Sequence, residues 1–459
     1  MYLLVFLLGM VLRGIPELLV SWYPIGYETI TYYAPPMFAF GERGLVDIFV
    51  EFFRSGPLFY VLMWFAHVMS GAHPYVILKV VGPLLYGGLA VSFLFFLRKG
   101  LRLDEKMAFV AALLLVFQVA ALRESWDRFR NVLALIFVFI TLTALKGNHK
   151  HKWWFVGVFA VLTALSREYI TFVLFISILG FAILQRKNRL VSLVALTPAL
   201  AIFSIIMALS GQLWWSYIPD VWSSYLWAVQ DVFSIFAVCF LPLLPFVVKG
   251  LRRDKLIDPM VGWLLVGSFS VVVSPWVAVP GYQRWLMLLV FPFSVYAVIG
   301  FDRFRLFDED NLRKLAVVLL FFMVIGVGYS SGAFSYVMLP NSWVPTNLVQ
   351  SSIAWDQIED VRGVLRWLDE NAETSSSLLS EERFYGWTLI YLKRANNDVE
   401  VIPYGANSSP EPALEKALND GFRWIYLIWY HDSNLEGFET AYSQNSVSIF
   451  LYELQVASF

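Results

Sequence analysis

Charge is scarce in this chain. Asp, Glu, Lys and Arg make up 15% of its 459 residues, where a soluble protein carries about a quarter. That shortage excludes water as the solvent for most of the chain. A basic excess is lacking too, with 34 Lys and Arg against 35 Asp and Glu, and no argument for nucleic acid follows. Cysteine is almost missing: the single Cys239 excludes an internal disulfide, leaves the redox compartment unreadable and reads as a small buried thiol in an apolar run. The first stretch, Met1 to Val20, has neither a basic n-region nor a small-residue cleavage site. It reads as a retained span, not a secretory signal.

What the chain does have is apolar length, with 59% hydrophobic residues. A helix needs roughly 20 apolar residues to cross the hydrocarbon core, fewer where its surroundings help. The runs predict about eleven spans, near Tyr2 to Val20, Val76 to Leu97, Met107 to Leu122, Val132 to Leu145, Trp153 to Leu165, Tyr169 to Leu184, Leu190 to Leu209, Val232 to Val248, Pro259 to Val279, Trp285 to Gly300 and Leu315 to Ser331. Gly56 to Ser70 is apolar but short, opens with Gly-Pro and carries His67.

Lys and Arg in alternate loops set the orientation. One set carries 18, from Arg98 to Lys106, Lys146 to Lys152, Arg186 to Arg189, Lys249 to Lys255 and Arg303 to Lys314; the opposite set carries 7, Arg43, Arg54, Arg123, Arg128, Arg130, Arg167 and Arg284. The rich set faces the cytoplasm, which puts the N-terminus inside and the C-terminus outside. Consistent alternation requires that Gly56 to Ser70 not cross. It becomes a re-entrant or interfacial helix within a long external loop, residues 21–75, of a membrane domain 1–331. Arg13 and Lys79, drawn into spans, are expected to snorkel towards an end.

Composition shifts after Ser331. A Pro/Ser/Asn-rich linker, 332–356, leads to a soluble domain, 357–459, in which helices at Ile358 to Asn371, Tyr385 to Arg394 and Glu411 to Asp420 alternate with strands at Ser377 to Ser380, Val399 to Ile402, Trp424 to Trp429 and Val447 to Glu453. The fold class is a polytopic α-helical membrane protein with a small extracytoplasmic α/β domain. That domain lacks a phosphate loop, metal-spaced Cys/His or a nucleophile elbow, so it is expected to bind or shield. Asn407-Ser408-Ser409 is a glycosylation sequon.

Charges at membrane depth are functional hypotheses by default, and here they gather in the outer loops. In YPIGYETITYYAPP, Glu28 can serve as general base for a hydroxyl, with Tyr32 and Tyr33 shaping a sugar-sized pocket; an interfacial residue or helix cap is the plain alternative. In RESWDRFRN, Arg123, Arg128 and Arg130 can fork onto a phosphate, while Glu124 and Asp127 orient an acceptor or hold a divalent metal. Here a salt-bridge network anchoring two helix ends is the alternative. Arg167, Glu168 and Arg284 occupy two further outer turns; Arg284 can grip a lipid-borne phosphate or anchor beside Trp285 at the headgroups.

The order of these features resembles the GT-C superfamily of membrane glycosyltransferases: one N-in span, a long external loop with an early acid in GYETITYY, the helix GPLFYVL, a second external acidic turn in RESWDRFRN, outer Arg/Glu turns and an extracytoplasmic tail. The resemblance implies transfer of a sugar from a polyprenyl-phosphate donor to an acceptor glycan, lipid or protein in the cell membrane. Glu28 matches the family's first-loop acid, Asp127 its second, and Arg284 a late-span arginine on the donor phosphate. Glu stands where the family has Asp in the first loop and no Asp-x-Asp occurs at the second, which leaves metal dependence open. Two other functions fit similar outer arginines: a polymerase or ligase of lipid-linked glycans, and a non-enzymatic transporter of them.

Overall fold

The computed structural model describes residues 1–20, 22–147, 150–184, 189–210, 216–217, 222–251, 277–278, 282–333, 348–351, 353–392, 399–405, 409–431 and 437–453. These form two compact units, one of residues 1–23 and 43–349, the other of residues 24–42 and 350–459.

The first unit is a helical assembly of an integral membrane protein. Six of its described helices are long and apolar enough to cross a bilayer: Tyr2–Leu19, Pro74–Gly100, Phe129–Lys146, Leu190–Ser210, Gln283–Arg303 and Glu309–Gly332. Two bent pairs bring the number to eight, Glu105–Phe117 with Val119–Asp127 and Val229–Cys239 with Leu241–Leu251. Among the described residues the expected count of eleven is not confirmed. Two expected spans are helices of 15 and 17 residues, Lys152–Ser166 and Glu168–Leu184. A third, Pro259 to Val279, lies outside the described residues except for the short strand β2, Val277–Ala278, which pairs with β1, Ser216–Tyr217. The linker residues 334–347 and the sequon residues Asn407 and Ser408 also lie outside them.

The bends have a local cause. Gln118 (φ −83°, ψ 132°) and Phe240 (φ −123°, ψ −25°) leave the helical region, which strands carbonyls and amides that the bilayer cannot solvate. The two breaks answer one another, because the Gln118 side-chain amide donates to the Cys239 carbonyl at 2.8 Å.

Helix Pro57–Ser70 has 14 residues, and its entry is fixed by Gly56. That residue is left-handed (φ +90°), and a Cβ there would lie 2.3 Å from the Ser166 carbonyl oxygen. No side chain fits either condition. The Gly-Pro opening thus seats this short helix against the turn Ser166–Arg167.

The second unit is built on a mixed sheet of β3, Ser377–Glu381; β4, Glu400–Tyr404; β5, Trp424–Tyr430; β6, Glu439–Gln444; and β7, Val447–Glu453. The order is β4-β3-β5-β7-β6, with β3 parallel to β4 and β5, and β7 antiparallel to β5 and β6. Leu379, Ile402, Ile425, Leu427 and Phe450 form the core with Ala413 and Ala417 of helix Glu411–Asn419. Helices Ile358–Asn371 and Glu382–Tyr391 complete the expected α/β alternation. The edge strand β6 was not anticipated.

Residues 24–42, from the stretch that follows the first helix, pack with this domain. Gly386 of helix Glu382–Tyr391 has no room for a Cβ, which would come within 2.8 Å of the Thr31 Cα. The Tyr27 hydroxyl donates to Glu382 at 2.7 Å.

Candidate functional site

Two groups of the expected residues emerge, one in each unit. In the membrane unit, every residue of helix Val119–Asp127 is buried. Five charges thus sit in and just after a buried turn, and they are satisfied mainly by each other. Arg123 pairs with Asp127 and Arg128 with Glu124, both at 2.5 Å and both at i,i+4 spacing. Glu124 also accepts from Asn131 at 3.0 Å. Arg130 donates to the Ser55 carbonyl at 2.5 Å and lies over the Tyr60 ring. The anchoring network weighed from sequence therefore exists, with Arg123 and Arg128 each held by a carboxylate one helical turn away.

This turn is held from behind by a pair buried in the first helix. Arg13 is 0% exposed; it bonds Glu17 at 2.9 Å, the Ser125 carbonyl at 3.1 Å and the Trp126 carbonyl at 2.7 Å, with its guanidinium over the Trp126 ring. Snorkelling is thus corrected for Arg13. A guanidinium surrounded by carbonyl oxygens and a carboxylate has no need of an interface. Lys79, half-buried, instead reaches the end of the first helix, donating to the Val20 and Tyr23 carbonyls at 2.7 and 3.1 Å.

On another side lies Tyr169. Its hydroxyl is buried with no hydrogen-bond partner among the described residues, yet it feels the charges of Glu124, Arg128, Arg284 and Arg167. Arg167 sits over the Tyr169 ring at 5.5 Å and 3.4 Å from Glu168, one of whose oxygens is also buried without a partner. Trp285, next to Arg284, packs on Tyr169 at 5.4 Å and on Phe172 at 5.9 Å. The neighbouring Gln283 bonds the buried Asp231 at 3.3 Å. Glu124, Arg128, Arg167, Glu168 and Arg284, far apart in sequence, are brought to one place. Arg123 and Asp127 face differently, within electrostatic reach of Tyr329, whose hydroxyl donates to the Leu348 carbonyl at 3.0 Å and whose ring meets Trp126.

A metal on Asp127 finds little support in this arrangement. Among the described residues no three His, Cys, Asp or Glu side chains gather as a metal site requires, and Asp127 and Glu124 are each engaged by arginine.

The second group is in the second unit. Glu28 is 6% exposed, on the turn that leads from the left-handed Gly26 (φ +96°) into the π-helix Thr29–Tyr33. Tyr33 is buried; Tyr32 is exposed and meets Tyr27 edge-on at 6.2 Å. Burial, then the hydrogen bond to the Glu382 carboxylate, pushes the Tyr27 phenol well above its ordinary pKa. Nearby, Arg383 forms a bidentate pair with Glu381 and lies over the Trp429 and Tyr430 rings.

Sequence reading passed over Glu17, Tyr169 and Asp231. The four-residue spacing of Arg13 and Glu17 inside an apolar run was an available signal. Asp231 stood at the very edge of an expected span, and a lone tyrosine after Arg-Glu carries no signal of its own.

No protein-family model and no curated protein matches the chain. Among solved structures, its fold is similar to that of the arabinofuranosyltransferase AftD from Mycobacteria, with a TM-score of 0.54 at 11% identity, over 98% of this chain and 41% of that one. The chain therefore spans less than half the length of that protein.

Proposed function

We propose that the chain is a membrane glycosyltransferase that moves a sugar from a polyprenyl-phosphate donor to a hydroxyl acceptor on the extracytoplasmic face of the membrane. The observation that carries this reading is the gathering of Arg128, Arg167 and Arg284 with Glu124 around the partnerless Tyr169 hydroxyl. Three guanidiniums and a phenol in a buried, low-dielectric place suit a phosphate whose charge grows as its bond to sugar breaks. The fold likeness to an arabinofuranosyltransferase supports the same class of reaction.

In the proposed reaction, the acceptor oxygen attacks the anomeric carbon while the bond from that carbon to the phosphate oxygen breaks. The electron pair leaves with the phosphate, held by Arg284 with Arg128. A general base takes the acceptor's proton, the role the sequence assigns to Glu28, and displacement from the opposite face inverts the anomeric centre. Asp127, itself fixed by Arg123, positions the acceptor.

Glu28→Gln is nearly isosteric and cannot take a proton. Sugar transfer from a lipid donor by folded protein is expected to fall by about 100-fold or more, the range of general-base catalysis. Undiminished transfer removes Glu28 from the mechanism, and would instead suit a polymerase or ligase of lipid-linked glycans, which needs the arginines but no first-loop carboxylate.

A further inference from the structure

The soluble unit carries a groove apart from the residues above. It runs between helix Ile358–Asn371 and the edge strand β6, with a volume of about 280 Å³ and a predominantly polar lining. Two of its lining residues are aromatic. Trp367 and Tyr442 stack with their planes 4° apart and centroids 5.0 Å apart. Around them stand Glu359, Arg362, Arg366 and Glu370 from one face of the helix, spaced three or four residues apart. Gln444 closes one side, lying so near Gly363 that a Cβ there would meet its Oε1 at 1.6 Å.

The walls are fixed before any ligand arrives. Asp360, on the buried side of the same helix, accepts from Asn445 at 2.7 Å and from the Ser446 hydroxyl at 2.8 Å, and so clamps the helix to the turn between β6 and β7. A pre-set groove spares a ligand the cost of ordering it.

We propose that this groove is a binding site for a neutral saccharide of one or two rings. The lining selects that chemistry by elimination. Two arginines are balanced by two glutamates, so no net charge calls for an anion. The polar lining offers little to a lipid tail. The edge strand is interrupted by an irregularity between Thr440 and Tyr442, which impairs pairing with an incoming peptide strand. A sugar ring suits what remains: its apolar C–H face can meet the Trp367–Tyr442 pair, and its hydroxyls, donors and acceptors at once, need carboxylates, guanidiniums and an amide together. The volume is slightly below the roughly 300 Å³ where pockets for drug-sized ligands begin. The site does not depend on the transferase reading, and its occupant is bound, not transformed.

The test uses the full chain in a detergent without a sugar headgroup and saturation-transfer NMR with cellobiose, lactose and an arabinose disaccharide. A digalacturonate and inorganic phosphate serve as anionic probes. At least one neutral disaccharide is expected to bind, at least tenfold more weakly to the double variant Arg366→Ala/Glu370→Gln and not measurably to Tyr442→Ala. Arg366 and Glu370 are exposed, so the double variant should melt within a degree or two of the parent even if Tyr442→Ala unfolds. The proposal is overturned if no neutral disaccharide binds at 10 mM (about the weakest affinity of interest), if only the anionic probes bind, or if the folded double variant binds as tightly as the parent.

Discussion

Tyr169 offers a test that separates use from support. A buried hydroxyl without a partner costs about 1–3 kcal/mol relative to a satisfied one, so its removal should not weaken the fold. Tyr169→Phe is therefore expected to melt at the same temperature as the parent or slightly higher, while transfer from the lipid donor falls about tenfold or more with a raised KM for that donor. A fall in melting temperature with unchanged kinetics would make the hydroxyl structural. Arg13 illustrates the opposite case. Its Nε and one terminal nitrogen are engaged by Glu17 and two backbone carbonyls, and removing one partner of such a buried pair leaves the other uncompensated. Charges within apolar runs were legible as residues of interest. Which of them hold the fold and which face a ligand was not, because that depends on partners more than a hundred positions away.

At the scale of elements, helix Glu382–Tyr391 is the seat on which the Glu28 segment rests, and its bond from Tyr27 makes that seat sensitive to alkali. The folded Tyr27 phenol keeps its proton above the ordinary value near 10 because of burial and the Glu382 carboxylate; Tyr404 is shifted upward as well, by burial and the Glu381 charge. A phenol with a raised folded pKa supplies its stability in full below the unfolded pKa. As pH rises past about 10 the unfolded chain sheds the proton first, and that stability declines. The melting temperature of the soluble unit should thus drop above about pH 10, and Tyr27→Phe should flatten the drop; an unchanged slope in the variant would acquit Tyr27. Helix Ile358–Asn371 and strand β7 follow from their patterns with the boundaries expected. Strand β6, ETAYSQ, is polar and lies at the sheet edge, so no buried face imposed an alternation to read. The bends at Gln118 and Phe240 were equally hidden, since hydropathy runs through both breaks and only hydrogen-bond accounting exposes them.

The whole molecule joins its soluble unit from two distant stretches, residues 24–42 and 350–459. A fragment of residues 350–459 is therefore expected to lack a cooperative unfolding transition and to bind hydrophobic dyes at the face that Thr31 and its neighbours cover. A version with residues 24–42 appended through a flexible linker should regain the transition. Equal melting of the two fragments would show that the early segment is a passenger.

That division also gives the protein an order of assembly. Residues 24–42 leave the ribosome early, and their partners follow some three hundred residues later. At synthesis rates of about 5–20 residues per second, the segment bearing Glu28 waits on the order of half a minute with its apolar side uncovered. The carboxylate proposed as the base would thus be put in place late, when helix Glu382–Tyr391 packs against its segment, and a product truncated before residue 350 would carry the arginines while its base had no seat.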